Sequence, residues 1–166
     1  MAEKAGYFFN FAKMDYVRGK RPSGCILCAL RSKRGATHEL IVHRDPHFLV
    51  AVNLYPYNPG HLMVFPRRHV VDLRQLTPVE AARLHTLTTH LLAALDRIYT
   101  PAGYNIGYNM GKTAGASIAH LHQHIIPRFR NEIGISDLLA GKRVLVEDPR
   151  VSADRLRRTL AQLPLS

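Results

Sequence analysis

Ala119-His120-Leu121-His122-Gln123-His124-Ile125-Ile126 sets three histidines at alternate positions of a short run. Residues two apart on a β-strand share a face, so the spacing predicts a strand over 119–126 with all three imidazoles on one side. Just upstream, Asn105 to Ser117 (NIGYNMGKTAGAS) carries Gly107, Gly111 and Gly115. Glycines let backbone N–H groups approach phosphate oxygens, and Lys112, Thr113 and Ser117 add a charge and hydroxyl donors. The loop is neither G-x-x-x-x-G-K-[ST] nor a strand-to-helix G-x-G-x-x-G, so it is not a P-loop or a Rossmann turn. Taken by itself it also suits a hairpin connection. Beside three aligned imidazoles it points to phosphate chemistry. A neutral imidazole nitrogen can attack phosphorus and leave a phosphohistidine that a second acceptor resolves. Flanking histidines and hydroxyls can stabilise the phosphoryl oxygens and assist the leaving group. Three imidazoles also suit zinc, and H-x-H-x-H alone does not separate ligand from nucleophile.

Outward from this segment, residues 39–43 (ELIVH) and 47–53 (HFLVAVN) read as strands joined at Arg44-Asp45-Pro46. Tyr55 to Gly60 reads as a loop, and His61 to Phe65 as a further strand stopped by Pro66. Thr77-Pro78-Val79-Glu80 supplies an N-cap hydroxyl, a first-turn proline and a reciprocal Glu. Leu84, Leu87, Leu91, Leu95 and Ile98 then recur at helical spacing, which predicts a helix to about Tyr99. Gly103–Met110 returns to strand character, and a last short helix is expected over Ala153–Leu163. Strands with one long interposed helix favour an α+β fold with a mainly antiparallel sheet.

The 166 residues suit one domain with its own core. No apolar run approaches the ~18 residues of a membrane span. The MAEKAGYFFNF start lacks the pattern of a secretory signal, so the expected compartment is the cytoplasm. A formal net charge of +11 predicts an anionic partner without naming it. The two cysteines, Cys25 and Cys28, form one C-x-x-C. No thioredoxin-like βαβ pattern surrounds them, and two free thiols remain an alternative. Half of a tetrahedral zinc site, completed by two histidines from elsewhere, suits the pair better. His38, His47, His85 and His90 read as surface or packing residues, and Tyr7, Phe8, Phe9, Phe11 and Tyr16 as a docking arm.

His120–Ile126 resembles the signature of the histidine-triad superfamily, in which histidines alternate with apolar residues. The likeness runs from about Cys25 to Arg128 and includes Cys25-Ile26-Leu27-Cys28, Asn53, Pro59-Gly60-His61-Leu62-Met63-Val64, Asn109 and Ser117. Asn53 to His61 (NLYPYNPGH) is particularly similar to the branch containing bacterial diadenosine tetraphosphate phosphorylases. The resemblance implies a five-stranded sheet with one long helix and a shorter C-terminal helix. It divides the single domain 1–166 into a basic, aromatic arm (1–24), a core (25–128) and an extension (129–166). It implies that His122 is the nucleophile toward an α-phosphorus and that His124 contacts the phosphate. Ser117, Asn109 and Gly115 would hold phosphate oxygens or the leaving group, and Asn53 would lie near the nucleoside or phosphate. His69 and His120 would complete a structural zinc site with Cys25 and Cys28, with His43 and His61 as competitors. A homodimer joining two such sheets is implied as well.

Two features depart from the pattern. Gln123 stands where an apolar residue is usual, but on the face opposite the histidines. Phe129-Arg130-Asn131-Glu132 replaces the Trp and Gly-Asp-x-Asn-Phe pattern of the phosphorylase branch, so hydrolysis and phosphorolysis both stay open. A third histidine, rather than glutamine, argues against the uridylyltransferase branch. The expected function is cleavage at the α-phosphorus of a nucleoside phosphate, of dinucleoside polyphosphate or phosphoramidate type, through a nucleotidyl-histidine. Lys112 and Arg67-Arg68 would serve as auxiliary charges. The alternatives are a zinc-containing nucleic-acid-binding module, which leaves the histidines idle, and a hydrolase using the triad as zinc ligands.

Overall fold

The computed structural model describes residues 24–31, 38–130 and 147–163. Its elements are α1 (Ile26–Arg31), β1 (Ile41–Arg44), β2 (Phe48–Val52), β3 (Leu62–Pro66), α2 (Pro78–Tyr99), β4 (Gly103–Tyr108), β5 (Gln123–Arg128) and α3 (Pro149–Ala161). The five strands form one sheet in the order β1-β2-β3-β5-β4, every neighbouring pair antiparallel. This is the expected α+β architecture.

Every residue of β2 and β3 is buried. Such unbroken apolar runs belong to strands covered on both faces. Phe48, Val50, Val52, Leu62 and Val64 point into a core shared with α2 and α3. Leu49, Ala51, Met63 and Phe65 point the other way, toward Leu27 and Leu30 of α1. The period-two alternation of the strand therefore divides the molecule into two apolar layers, and α1 brings the cysteine pair onto the second.

The capping box at Thr77 is present as expected. Glu80 N–H donates to the Thr77 hydroxyl at 3.2 Å and Thr77 N–H to the Glu80 carboxylate at 2.8 Å. Glu80 also accepts from Arg68 at 2.7 and 2.6 Å, and the Arg68 guanidinium holds its carboxyl down at about 2. Asp45 ties the β1–β2 turn to α2. Its buried carboxylate accepts from Arg83 at 2.7 Å and from His47 N–H at 2.9 Å.

Three expectations are corrected. The last helix begins at Pro149 rather than Ala153, because Asp148 caps Arg150 N–H at 2.8 Å and Pro149 opens the first turn. The first strand begins at Ile41, since His38–Leu40 forms a 3-10 turn. The histidine strand begins at Gln123 rather than Ala119. Leu121 N–H leaves the ladder and donates to Val70 O at 2.7 Å, so residues 117–120 bend instead of extending. The aromatic arm and the sequence 131–146 lie outside the described residues. Among the described residues no helix is long and apolar enough to cross a membrane.

Candidate active site and metal centre

The bend at 117–120 gives the three histidines different partners. His122 and His124 remain neighbours, their rings 4.7 Å apart and nearly perpendicular at 72°. His120 turns instead toward the cysteines. The triad therefore does not converge on one metal ion, and its members divide between two centres.

Hydrogen bonds fix the ring tautomers at the first centre. A carbonyl only accepts, so the 2.7 Å contact of His122 Nδ1 with His120 O puts the proton on Nδ1. In the neutral ring Nε2 then keeps its lone pair. His61 is fully buried at the approach to β3, and Tyr57 N–H donates to its Nδ1 at 3.1 Å. Its Nε2 must carry the proton and donates to His124 Nδ1 at 2.9 Å. Neutral His124 consequently presents Nε2–H as a donor. Burial, and then the neighbouring His122, lower the His124 pKa to about 4, which keeps that ring uncharged near neutrality.

Sequence alone offers His61 as a competing metal ligand and as part of the Pro59–Val64 strand entry; the structure makes it the partner of His124. The signal available was Gly60. It adopts φ 76°, and a Cβ there would lie 2.7 Å from Tyr99 Cε2. Only glycine fits this approach, and it delivers His61 into the sheet. Asn53 stands beside the pair, its Nδ2 3.5 Å from both ring nitrogens of His61 and its Oδ1 accepting from Tyr55 N–H at 3.0 Å. Asn109, Gly115 and Ser117 are exposed in the loop before the histidines. Gly115 adopts φ 85°, and a Cβ added there would lie 3.9 Å from Asn109 Nδ2, so these two are neighbours. Ser117 lies in the bend that leads to His120.

Gln123 faces away from this centre, as expected. It is buried, accepts from Thr88 Oγ1 at 2.8 Å and donates to the Tyr108 hydroxyl at 3.1 Å. The sheet thus satisfies a polar residue at an apolar position. The arginines expected as auxiliary charges hold loops together. Arg68 is committed to Glu80, and Arg67 donates to Asp45 O at 3.2 Å.

Cys25, Cys28, His69 and His120 form the second centre, with all four ligand atoms within 4.8 Å of one another. Cys25 Sγ and Cys28 Sγ lie 3.3 and 3.5 Å from His120 Nδ1, and Cys28 Sγ lies 3.4 Å from His69 Nδ1. Tetrahedral zinc with Zn–S near 2.3 Å and Zn–N near 2.0 Å puts sulfur and nitrogen about 3.5 Å apart. His120 Nε2–H donates to Pro66 O at 3.0 Å, which leaves Nδ1 with the lone pair a metal needs. Burial lowers the His120 pKa, again favouring the neutral ring. These four residues could bind a metal. His43 on β1 and His61 are not part of the cluster.

Comparison with known proteins agrees with this geometry. The HIT domain model matches residues 34–131. AP-4-A phosphorylase of Mycobacterium tuberculosis is 40% identical over 123 residues, covering 74% of this chain and 61% of that protein. The asymmetrical bis(5'-nucleosyl)-tetraphosphatase of Schizosaccharomyces pombe is 38% identical over 88 residues, covering 53% of this chain and 48% of that one. Among solved structures, a zinc-bound histidine triad family protein of Mycobacterium smegmatis aligns with TM-score 0.68 and 30% identity, covering 84% of this chain and 95% of that one. The chain belongs to the histidine-triad, or HIT domain, family. It spans between about half and three fifths of the two curated relatives named here.

Proposed function

We propose that the chain is a nucleotide-processing enzyme that cleaves at the α-phosphorus of a dinucleoside polyphosphate or nucleoside phosphoramidate through a nucleotidyl-His122 intermediate. The observation that carries this is the 2.7 Å bond from His122 Nδ1–H to His120 O, which leaves Nε2 as a lone-pair nucleophile. Nε2 forms the bond to phosphorus as the bond to the leaving oxygen of a polyphosphate, or the leaving nitrogen of a phosphoramidate, breaks. The ring gains positive charge, and Nδ1–H stays bound to the carbonyl, which stabilises that charge. His124 Nε2–H donates to a phosphoryl or leaving-group oxygen, held in that orientation by His61. Water or inorganic phosphate then attacks the same phosphorus and restores the lone pair, releasing a nucleoside monophosphate or diphosphate respectively.

Asn109, Gly115 and Ser117 are assigned to the phosphate chain, and Asn53 to the nucleoside side of His61. The Cys25, Cys28, His69 and His120 cluster is assigned to structural zinc, which would anchor α1 to the sheet. With four protein ligands the metal has no open position for water. We assign the protein to the cytoplasm as a homodimer of single domains spanning 1–166. A nucleic-acid-binding role would leave the His61–His124–His122 arrangement without a use.

The test is incubation with a labelled dinucleoside polyphosphate, an alkaline quench and mapping of the label. Retention on His122 is expected. Turnover without any adduct, in folded protein, contradicts the covalent route. ADP formed only when phosphate is present assigns phosphorolysis; AMP formed regardless of phosphate assigns hydrolysis.

A further inference from the structure

The metal cluster and the nucleophile share one residue. His120 directs Nδ1 to Cys25 and Cys28 at 3.3 and 3.5 Å, and Nε2–H to Pro66 O at 3.0 Å. Its own carbonyl accepts from His122 Nδ1–H at 2.7 Å. The acceptor that selects the reactive nitrogen of His122 is therefore held from two sides, by Leu121 N–H donating to Val70 O at 2.7 Å on the same peptide and by the contacts of the His120 ring.

The two thiols can also react with each other. Ala29 N–H donates to Cys25 O at 3.0 Å, closing the turn that begins α1. Residues three apart in such a turn fall within the Cα separation that a disulfide accepts. One side of the cluster is open: the Cys28–His69 contact is exposed, whereas His120 is only 2% exposed. Cys28 is itself half-buried, and this side is the approach that an oxidant would take.

We propose that Cys25 and Cys28 form a thiol–disulfide switch, in which a peroxide expels the metal and frees His120, loosening the tautomer lock on His122. Two thiolates, one hydrogen peroxide and two protons give one disulfide and two waters. Two electrons pass from the sulfurs to the O–O bond. The metal leaves as an aquated dication, because disulfide sulfurs lack the thiolate charge that binds it. The His120 ring then keeps Pro66 O but loses the centre it shared with His69 and α1. The His120 carbonyl is no longer pinned from the cluster side, and His122 exchanges Nδ1–H for Nε2–H part of the time. A ring in the wrong tautomer presents no lone pair to phosphorus. The consequence for catalysis rests on the nucleotidyl-transfer reading above; the switch itself does not.

The experiment loads the full reduced chain with one equivalent of Zn2+ and adds hydrogen peroxide in steps. Zinc released to a chromophoric chelator, the Cys25–Cys28 linkage by peptide mass mapping, and the His122 tautomer by long-range 1H–15N correlation are followed together. Zinc release and disulfide are expected to rise in parallel while His122 becomes a tautomer mixture. Adduct formation from a labelled dinucleoside polyphosphate is expected to fall about tenfold, as when a group orienting a key histidine is lost. A thiol reductant with zinc restores all of these. A disulfide formed with zinc retained, or oxidation ending at sulfinic acid without the disulfide, overturns the switch. Zinc release with the His122 tautomer unchanged overturns the coupling. A chain that forms no adduct before oxidation contradicts the nucleotidyl-transfer reading instead, while the zinc and tautomer measurements still decide the switch.

Discussion

His124 accepts from His61 at Nδ1 and lies against His122, so protonation at that nitrogen breaks the arrangement. Its folded pKa of about 4 is below the ordinary 6.5, with burial as the main cause. Between those values the unfolded chain binds more protons than the folded one, so stability is lost as pH falls through the window. The melting temperature is therefore expected to decline from about pH 6.5 toward about pH 4, with a smaller decline in His124→Asn. A melting temperature that rises across that range would show that His124 is not held neutral. Alternation correctly makes His122 and His124 neighbours, because both follow the bend or lie in β5. It misplaces His120, whose direction depends on Leu121 N–H finding Val70 O. That contact comes from a distant part of the chain and leaves no local pattern.

Elements with chemical punctuation were the legible ones. Thr77-Pro78-Val79-Glu80 announces α2, and the cap forms with the expected partners. Asp148-Pro149 announces α3 in the same way, four residues before the Ala153 start expected from the sequence. The approach to β3 depends on Gly60, whose φ of 76° and close contact with Tyr99 exclude a side chain. Gly60→Ala is expected to destabilise the fold by about 2 kcal/mol, from backbone strain and overpacking. It should also lower turnover by displacing His61; calorimetry and initial rates check both effects. At α1, the metal proposed for the cysteine–histidine cluster ties a six-residue helix to the sheet. Chelation is expected to lower the melting temperature, and added zinc to restore it. A melting curve unaffected by chelator, with zinc demonstrably removed, would contradict a structural role.

Across the whole molecule, the two edges of the sheet differ. β1 is packed against α3, and Arg157 donates to Ile41 O at 3.0 Å. β4, at the other edge, carries no charged residue, and its Asn105 and Ile106 are exposed. Beside it runs a groove of about 410 Å³ lined by Leu73, Leu76, His85, Leu92 and Ile106. An uncharged, partly apolar edge is a template for pairing with another strand. The proposed homodimer is accordingly expected to form through β4 of each copy, continuing the sheet. Ile106→Lys should convert it to a monomer in sedimentation; an unchanged dimer would place the contact elsewhere. The +11 charge, read from the whole sequence, anticipates an anionic partner, and eight of its basic residues fall in the first 34 positions. The bond to be cut is read instead from His122. Mass spectrometry of the alkali-quenched reaction with a labelled dinucleoside polyphosphate tests that assignment most directly. Label on His122, absent in His122→Asn, is the predicted result; turnover by folded protein with no labelled histidine, or label on another residue, would contradict it.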